Sequence, residues 1–109
     1  MGIKYINLKD FSTMEQREIK DKSEKEYKKI IRDFKDSSLI VEVKKMEKAG
    51  DRCKYSVHLR LEGGTSLILT AHQTDWDLPR ALHKTLDNLK NEADHKYHTE
   101  QHKNKKKNF

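Results

Sequence analysis

The chain is poor in the residues that staple or interrupt a fold: in 109 residues it has one cysteine, Cys53, one proline, Pro79, four glycines and only 7% aromatic side chains. A single cysteine excludes an internal disulfide, and its place among apolar strand positions predicts a small core side chain. No apolar run approaches the roughly 20 residues that cross a bilayer. The opening "MGIKYINLKD" has no basic region leading into an apolar one, which excludes a secretory signal there, and Ile6 breaks the myristoylation pattern that Met1-Gly2 begins. These absences predict a soluble, cytoplasmic chain without a membrane partner. Catalytic signatures are missing too. His58, His72 and His83 have Ser56, Asp75 and Asp77 only in loose proximity, with no nucleophile elbow, glycine-rich phosphate loop or paired carboxylates. His95, His98 and His102 have metal-ligand spacing but no second cluster to complete a site. The expectation is a protein that is not an enzyme, with no cofactor, no metal and no small-molecule substrate.

What is present is charge. Charged residues make up 39% and hydrophobic ones 33%, with a net charge of +6, a composition that supports one thin apolar layer under a charged surface. A chain this short buries only about 60–70% of its unfolded surface, so one domain is expected. The excess charge is uneven: "KYHTEQHKNKKKNF", residues 96–109, sets five lysines against Glu100. Four of the six net positive charges therefore lie in this segment. The remainder is nearly balanced, so charge alone does not decide for a nucleic-acid partner.

Patterning orders the elements. "IKYINL", residues 3–8, reads as a short strand, and "STME", Ser12 to Glu15, as a capping box that opens a helix near residue 13. Ile19, Ser23, Tyr27, Ile30, Ile31 and Phe34 recur at threes and fours, which predicts a helix ending near Lys35. Leu39, Val41 and Val43 alternate with polar or outward positions as in a half-buried strand, and "KAGD", residues 48–51, supplies a turn. From about Arg52, the residues Cys53, Tyr55, Val57, Leu59 and Leu61 point one way and Lys54, Ser56, His58, Arg60 and Glu62 the other, up to a tight hairpin at Gly63-Gly64. Leu67, Leu69 and Ala71 resume the inner face. Asp77 reads as an N-cap with Pro79 in the first turn, and Leu78, Leu82, Leu86, Leu89 and Ala93 stripe a last helix whose periodicity fades after His95. Trp76 is placed to anchor the turn before it.

Two amphipathic helices and a sheet with one apolar face bury one another only if both helices lie on the same side. The fold class is α+β: a two-layer sandwich, β-α-β-β-β-α, with a four-stranded sheet and both helices on one face. The division is a folded domain over 1–97 and a basic, disordered tail over 98–109. Polar residues on the open sheet face need no function to be there.

"YSVHLRLEGGTSL", residues 55–67, resembles the strand-Gly-Gly-strand hairpin of the ribosome hibernation-promoting factor and ribosome-associated inhibitor family, with Glu62 where the family often has proline. "DLPRALHKTLDNL", residues 77–89, is similar to that family's last helix at Asp77, Ala81, Leu82, Leu86, Asp87 and Leu89. "IKDKSEKEYKKIIRDF", residues 19–34, has the family's spacing of apolar and basic positions, with Lys20, Lys29 and Arg32 at basic ones. The resemblance spans residues 3–97. It implies a short-form member that occupies the mRNA and tRNA channel of the small ribosomal subunit, shuts down idle ribosomes under stress or in stationary phase, and is a monomer off the ribosome.

The chemistry that such binding requires is phosphate neutralisation by cations on a rigid frame. Candidate rRNA-binding residues are Lys20, Lys28, Lys29 and Arg32, with Lys84, Lys90 and Lys96 on the last helix. The last helix departs from the family, reading Asn88, Asn91 and His95 where basic residues are usual, with Glu92 and Asp94 added. The competing expectation is a diverged, non-catalytic protein- or RNA-interaction module of the same fold that has left the ribosome, with the open sheet face and its Ile40, Met46 and Ile68 as the contact surface.

Overall fold

The computed structural model describes residues 2–32, 34–63 and 67–107. Its elements are β1 (Gly2–Ile6), a 3-10 turn (Leu8–Asp10), α1 (Thr13–Ile30), β2 (Ser37–Ala49), β3 (Arg52–Gly63), β4 (Leu67–Asp75) and α2 (Leu78–Lys107). The sheet has four strands in the order β1-β2-β3-β4, with β1 parallel to β2 and the other two pairings antiparallel. Leu39, Val41, Val43, Val57, Leu59 and Leu61 are fully buried on one face, in a single cluster with Ile19 and Ile30 of α1 and Leu82 and Leu89 of α2. Both helices therefore cover the same face, and the expected two-layer α+β sandwich is the observed fold. No helix among the described residues is long and apolar enough to cross a membrane.

Local chemistry sets the boundaries. Asn7 adopts a left-handed conformation, φ 69°, which ends β1, and the capping box then forms as expected. The Glu15 amide donates to Ser12 Oγ at 3.2 Å, and the Ser12 amide donates to Glu15 Oε1 at 2.9 Å. The same carboxylate accepts from the Tyr55 hydroxyl at 3.3 Å and lies 3.9 Å from Lys45 Nζ, which ties the start of α1 to β2 and β3. Burial alone would raise the Glu15 carboxyl, but the Ser12 hydrogen bonds and the Lys45 ammonium hold it below its ordinary 4.5. A carboxylate lowered on folding stabilises above its unfolded value, and that stability is lost as pH falls from about 4.5 through the folded value. Acid titration of unfolding is expected to show this loss in the wild type and a shallower one in Glu15→Gln. Ser12→Ala should cost about 1 kcal/mol in denaturant unfolding at pH 7.

Helix α1 ends at Ile30, one turn before the Lys35 that periodicity predicts. The chain must turn down to β2 there: the Phe34 carbonyl accepts from both the amide and the hydroxyl of Ser37, and the Tyr27 hydroxyl donates to the Ser37 carbonyl at 2.5 Å. Ile31 and Phe34 still pack on the core, but from a turn. In the β2–β3 hairpin Gly50 takes φ 63°, the left-handed conformation that a two-residue turn favours. Gly63 serves otherwise. An added Cβ would lie 3.1 Å from Ser37 Cα and 3.3 Å from a Leu67 methyl, so its constraint is close approach of three strands. Gly64 lies outside the described residues. Cys53 is half-exposed, because it sits near the β2–β3 turn beyond the reach of the helices.

The start of α2 combines two devices. The Asp77 carbonyl accepts the Ala81 amide at 2.9 Å, and the Asp75 carboxylate accepts the Asp77 amide at 3.0 Å. Trp76, half-buried between them, has the Arg52 guanidinium 5.3 Å above its ring. The buried stripe of α2 contains the expected leucines and adds Ala81 and Thr85, whose hydroxyl donates to the Ala81 carbonyl at 2.6 Å. The helix runs to Lys107, past the point where the apolar stripe fades, and no glycine or proline follows Pro79 to stop it.

Candidate nucleic-acid interface

The basic residues singled out from the sequence lie on two sides of α1. Lys20 and Lys29 are nine residues apart, two and a half helical turns, and so point in opposite directions. Lys20 stands over the flank toward β1, its Nζ 5.9 Å from the Tyr5 ring centroid, while the Tyr5 hydroxyl lies 3.5 Å from the Lys20 carbonyl. Burial, reinforced by Glu24, pushes that hydroxyl up to about 12, so it stays a neutral donor. Lys29 lies on the flank toward α2. Lys28 is exposed in the last turn of α1, and Arg32 is exposed in the turn beyond it.

The structure brings together a set that sequence reasoning missed. Lys22, Lys25, Glu26 and Lys29 of α1 face His83, Leu86 and Asp87 of α2 across a groove of about 300 Å³. Lys22, Lys25 and Lys29 are spaced three and four apart, which places them on one flank of α1 next to its buried stripe. That spacing was visible in the sequence; which neighbour the flank would face was not. Lys29 is partly neutralised by Glu26 at 3.5 Å, with the lysine side chain 39% exposed. Lys22 and Lys25 make no ion pair among the described residues. Both therefore border the groove without a carboxylate partner there.

On α2 the three candidates part company. Lys84 is engaged, its Nζ 2.8 Å from Asp75 Oδ2, and Arg80 lies 3.7 Å from the other oxygen of the same carboxylate. The Lys84 ammonium, with the Asp77 amide, holds the Asp75 carboxyl below its ordinary range. Lys90 is half-buried and Lys96 exposed. Asn88, Asn91 and His95 are all exposed, so nothing in the packing demands an uncharged residue at the two asparagines.

The opposite face of the sheet is open and largely satisfies itself. Arg60 pairs with Glu62 at 2.6 Å and Lys44 with Glu42 at 3.8 Å. Ser56 Oγ and His72 Nε2 are 2.8 Å apart, and the His58 ring meets His72 edge-on at 5.8 Å between centroids. Glu42, Lys44, Ser56, His58 and His72, with Met46, line a shallow concavity of about 390 Å³. Met46 and Ile68 are more than half exposed, whereas Ile40 is partly covered. Among the described residues no group of three His, Cys, Asp or Glu side chains is placed to hold a metal ion. His98 and His102 lie where side chains are outside the description.

This arrangement of elements occurs in known structures. The crystal structure of the Thermus thermophilus Protein Y N-terminal domain is similar to this chain with a TM-score of 0.50 and 18% sequence identity, over 84% of this chain and 91% of that one. The likeness is one of fold. No protein-family model matches the sequence, and no curated protein matches it.

Proposed function

We propose that this chain is a ribosome-binding hibernation factor, a non-catalytic cytoplasmic protein that occupies the mRNA and tRNA channel of the small subunit through rRNA phosphates during stress or stationary phase. The observation that carries this is positional. The three segments that resemble the hibernation family fall on α1, on the β3–β4 hairpin and on the first turns of α2, within one two-layer domain. The cations of the helical layer supply the chemistry: Lys22, Lys25 and Lys29 along the groove, Lys28 and Arg32 at the end of α1, and Lys90 on α2. Lys20 and Lys84 serve less directly, the first standing on the far flank of α1 and the second bound to Asp75. Residues 1–97 form the binding domain, and the basic segment 98–109 adds cations without itself deciding between blockade of single ribosomes and ribosome pairing.

A diverged module that has left the ribosome is the second reading. Asn88 and Asn91, exposed and uncharged, favour it. Co-sedimentation with purified small subunits at low and moderate salt separates the two. Stoichiometric binding that falls with salt, and is weakened in Lys29→Glu/Arg32→Glu, supports the first. Absence of binding at low salt overturns it.

A further inference from the structure

We propose that strand β4 is a self-association edge, through which two copies of this chain pair antiparallel into one continuous sheet. The inference does not depend on ribosome binding, and it departs from the monomer expected off the ribosome. β4 is the outer strand beside β3, nine residues long, and its own sequence supplies few of the features that protect exposed edges. From Leu67 to Thr74 it has no lysine, arginine, acid, proline or glycine, and its one charge, Asp75, is held by Lys84 and Arg80. The other edge differs, since β1 has only five residues with an exposed Lys4 at its middle. β4 also projects Ile68, 58% exposed, on the open face.

A second copy is the occupant that charge complementarity selects. Directly opposed residues of antiparallel strands share a face, so keeping all four helices on one side requires residues of like parity to pair. Centring the two-fold axis on Ala71 uses the whole strand: Leu67 meets Asp75, Ile68 meets Thr74, Leu69 meets Gln73 and Thr70 meets His72 of the second copy. No two like-charged side chains are opposed. Helix α2 then enters the seam. It packs over β3 and β4, so two copies of it lie about 10 Å apart across the axis, the spacing of packed helices.

The α2 flank that would meet there is identified by its contacts. His83, Leu86 and Asp87 face α1, whereas Lys84 reaches the end of β4, and Asn88 and Glu92 follow Lys84 at intervals of four. Ala71 is roughly 13 Å back from Asp75 along β4, and at about 1.5 Å per residue α2 covers that distance near Asn88. The axis therefore sets Asn88 beside Asn88 and, twice, Lys84 beside Glu92 of the other copy. The uncharged asparagine at the centre and the opposite charges around it are what a self-complementary seam requires.

Sedimentation equilibrium of the full chain alone, from about 1 µM to about 1 mM, tests this. Wild type is expected to dimerise with a dissociation constant on the order of 10–100 µM, as suits a small edge interface. Glu92→Lys should weaken dimerisation roughly tenfold by setting lysine against Lys84 twice, and Thr70→Lys, a cation in the middle of the edge, should abolish it. Asp87→Lys makes the same charge change on the α1 flank and should leave the constant within about twofold. All three positions are exposed, and circular dichroism checks that each variant is folded. A wild type that stays monomeric throughout overturns the proposal. So does a dimer that Asp87→Lys weakens as much as Glu92→Lys, or one indifferent to Thr70→Lys.

Discussion

Leu59→Ala is expected to remove a large share of the domain's stability, about 2–5 kcal/mol in urea unfolding. Leu59 is fully buried at the middle of β3, the strand flanked by β2 and β4, with Val41 and Ala71 as its cross-strand partners. Truncating a leucine at such a site costs about 2–5 kcal/mol, because the cavity it leaves closes only partly. A domain of this size has a total stability of only about 5–15 kcal/mol. The neighbouring Arg60→Ala, whose side chain points to the open face and pairs only at the surface with Glu62, should change stability by less than about 1 kcal/mol. Urea unfolding of the pair makes the comparison. Equal effects would mean that the two faces of the sheet are not as unlike as the burial pattern requires.

Charge reversal in the interhelical groove should have the largest effect on rRNA association. Lys22→Glu/Lys25→Glu removes the two groove cations that make no ion pair among the described residues and puts two carboxylates beside Glu26 and Asp87. The expected result is a loss of small-subunit affinity on the order of 100-fold, with the slope of log affinity against log salt reduced by roughly 1.5. Lys20→Glu, a single reversal on the β1 flank, should cost far less than this pair. If Lys20→Glu costs as much as the double variant, the contact surface is not the groove. Stability should move little in either case, since solvated lysines contribute little to folding.

Much of this fold is legible in the residues themselves. Period-two alternation from Leu39 to Val43 and from Cys53 to Leu61, threes and fours in both helices, and the Ser12–Glu15 capping box are local signals, and local signals survive without knowledge of neighbours. The single apolar face of each element then leaves one way to bury them together, with both helices on one side. Boundaries were less legible. The turn at Ser37 shortens α1 because Tyr27 and Phe34 hydrogen-bond to it across the chain reversal, and Cys53 is half-exposed because the helices do not reach that end of the sheet.

The site divides in the same way. Composition and spacing alone determined that the chain is basic, that its cations concentrate on α1 and beyond His95, and that its last helix carries asparagine at 88 and 91. Only the tertiary structure decided which cations act together. It sent Lys20 and Lys29 to opposite flanks of α1, gave Lys84 to Asp75 and set Lys22 and Lys25 against α2. A sequence fixes the angle of each side chain about its own helix, but the neighbour that angle meets depends on how the layers pack, and ion pairing is decided at that distance.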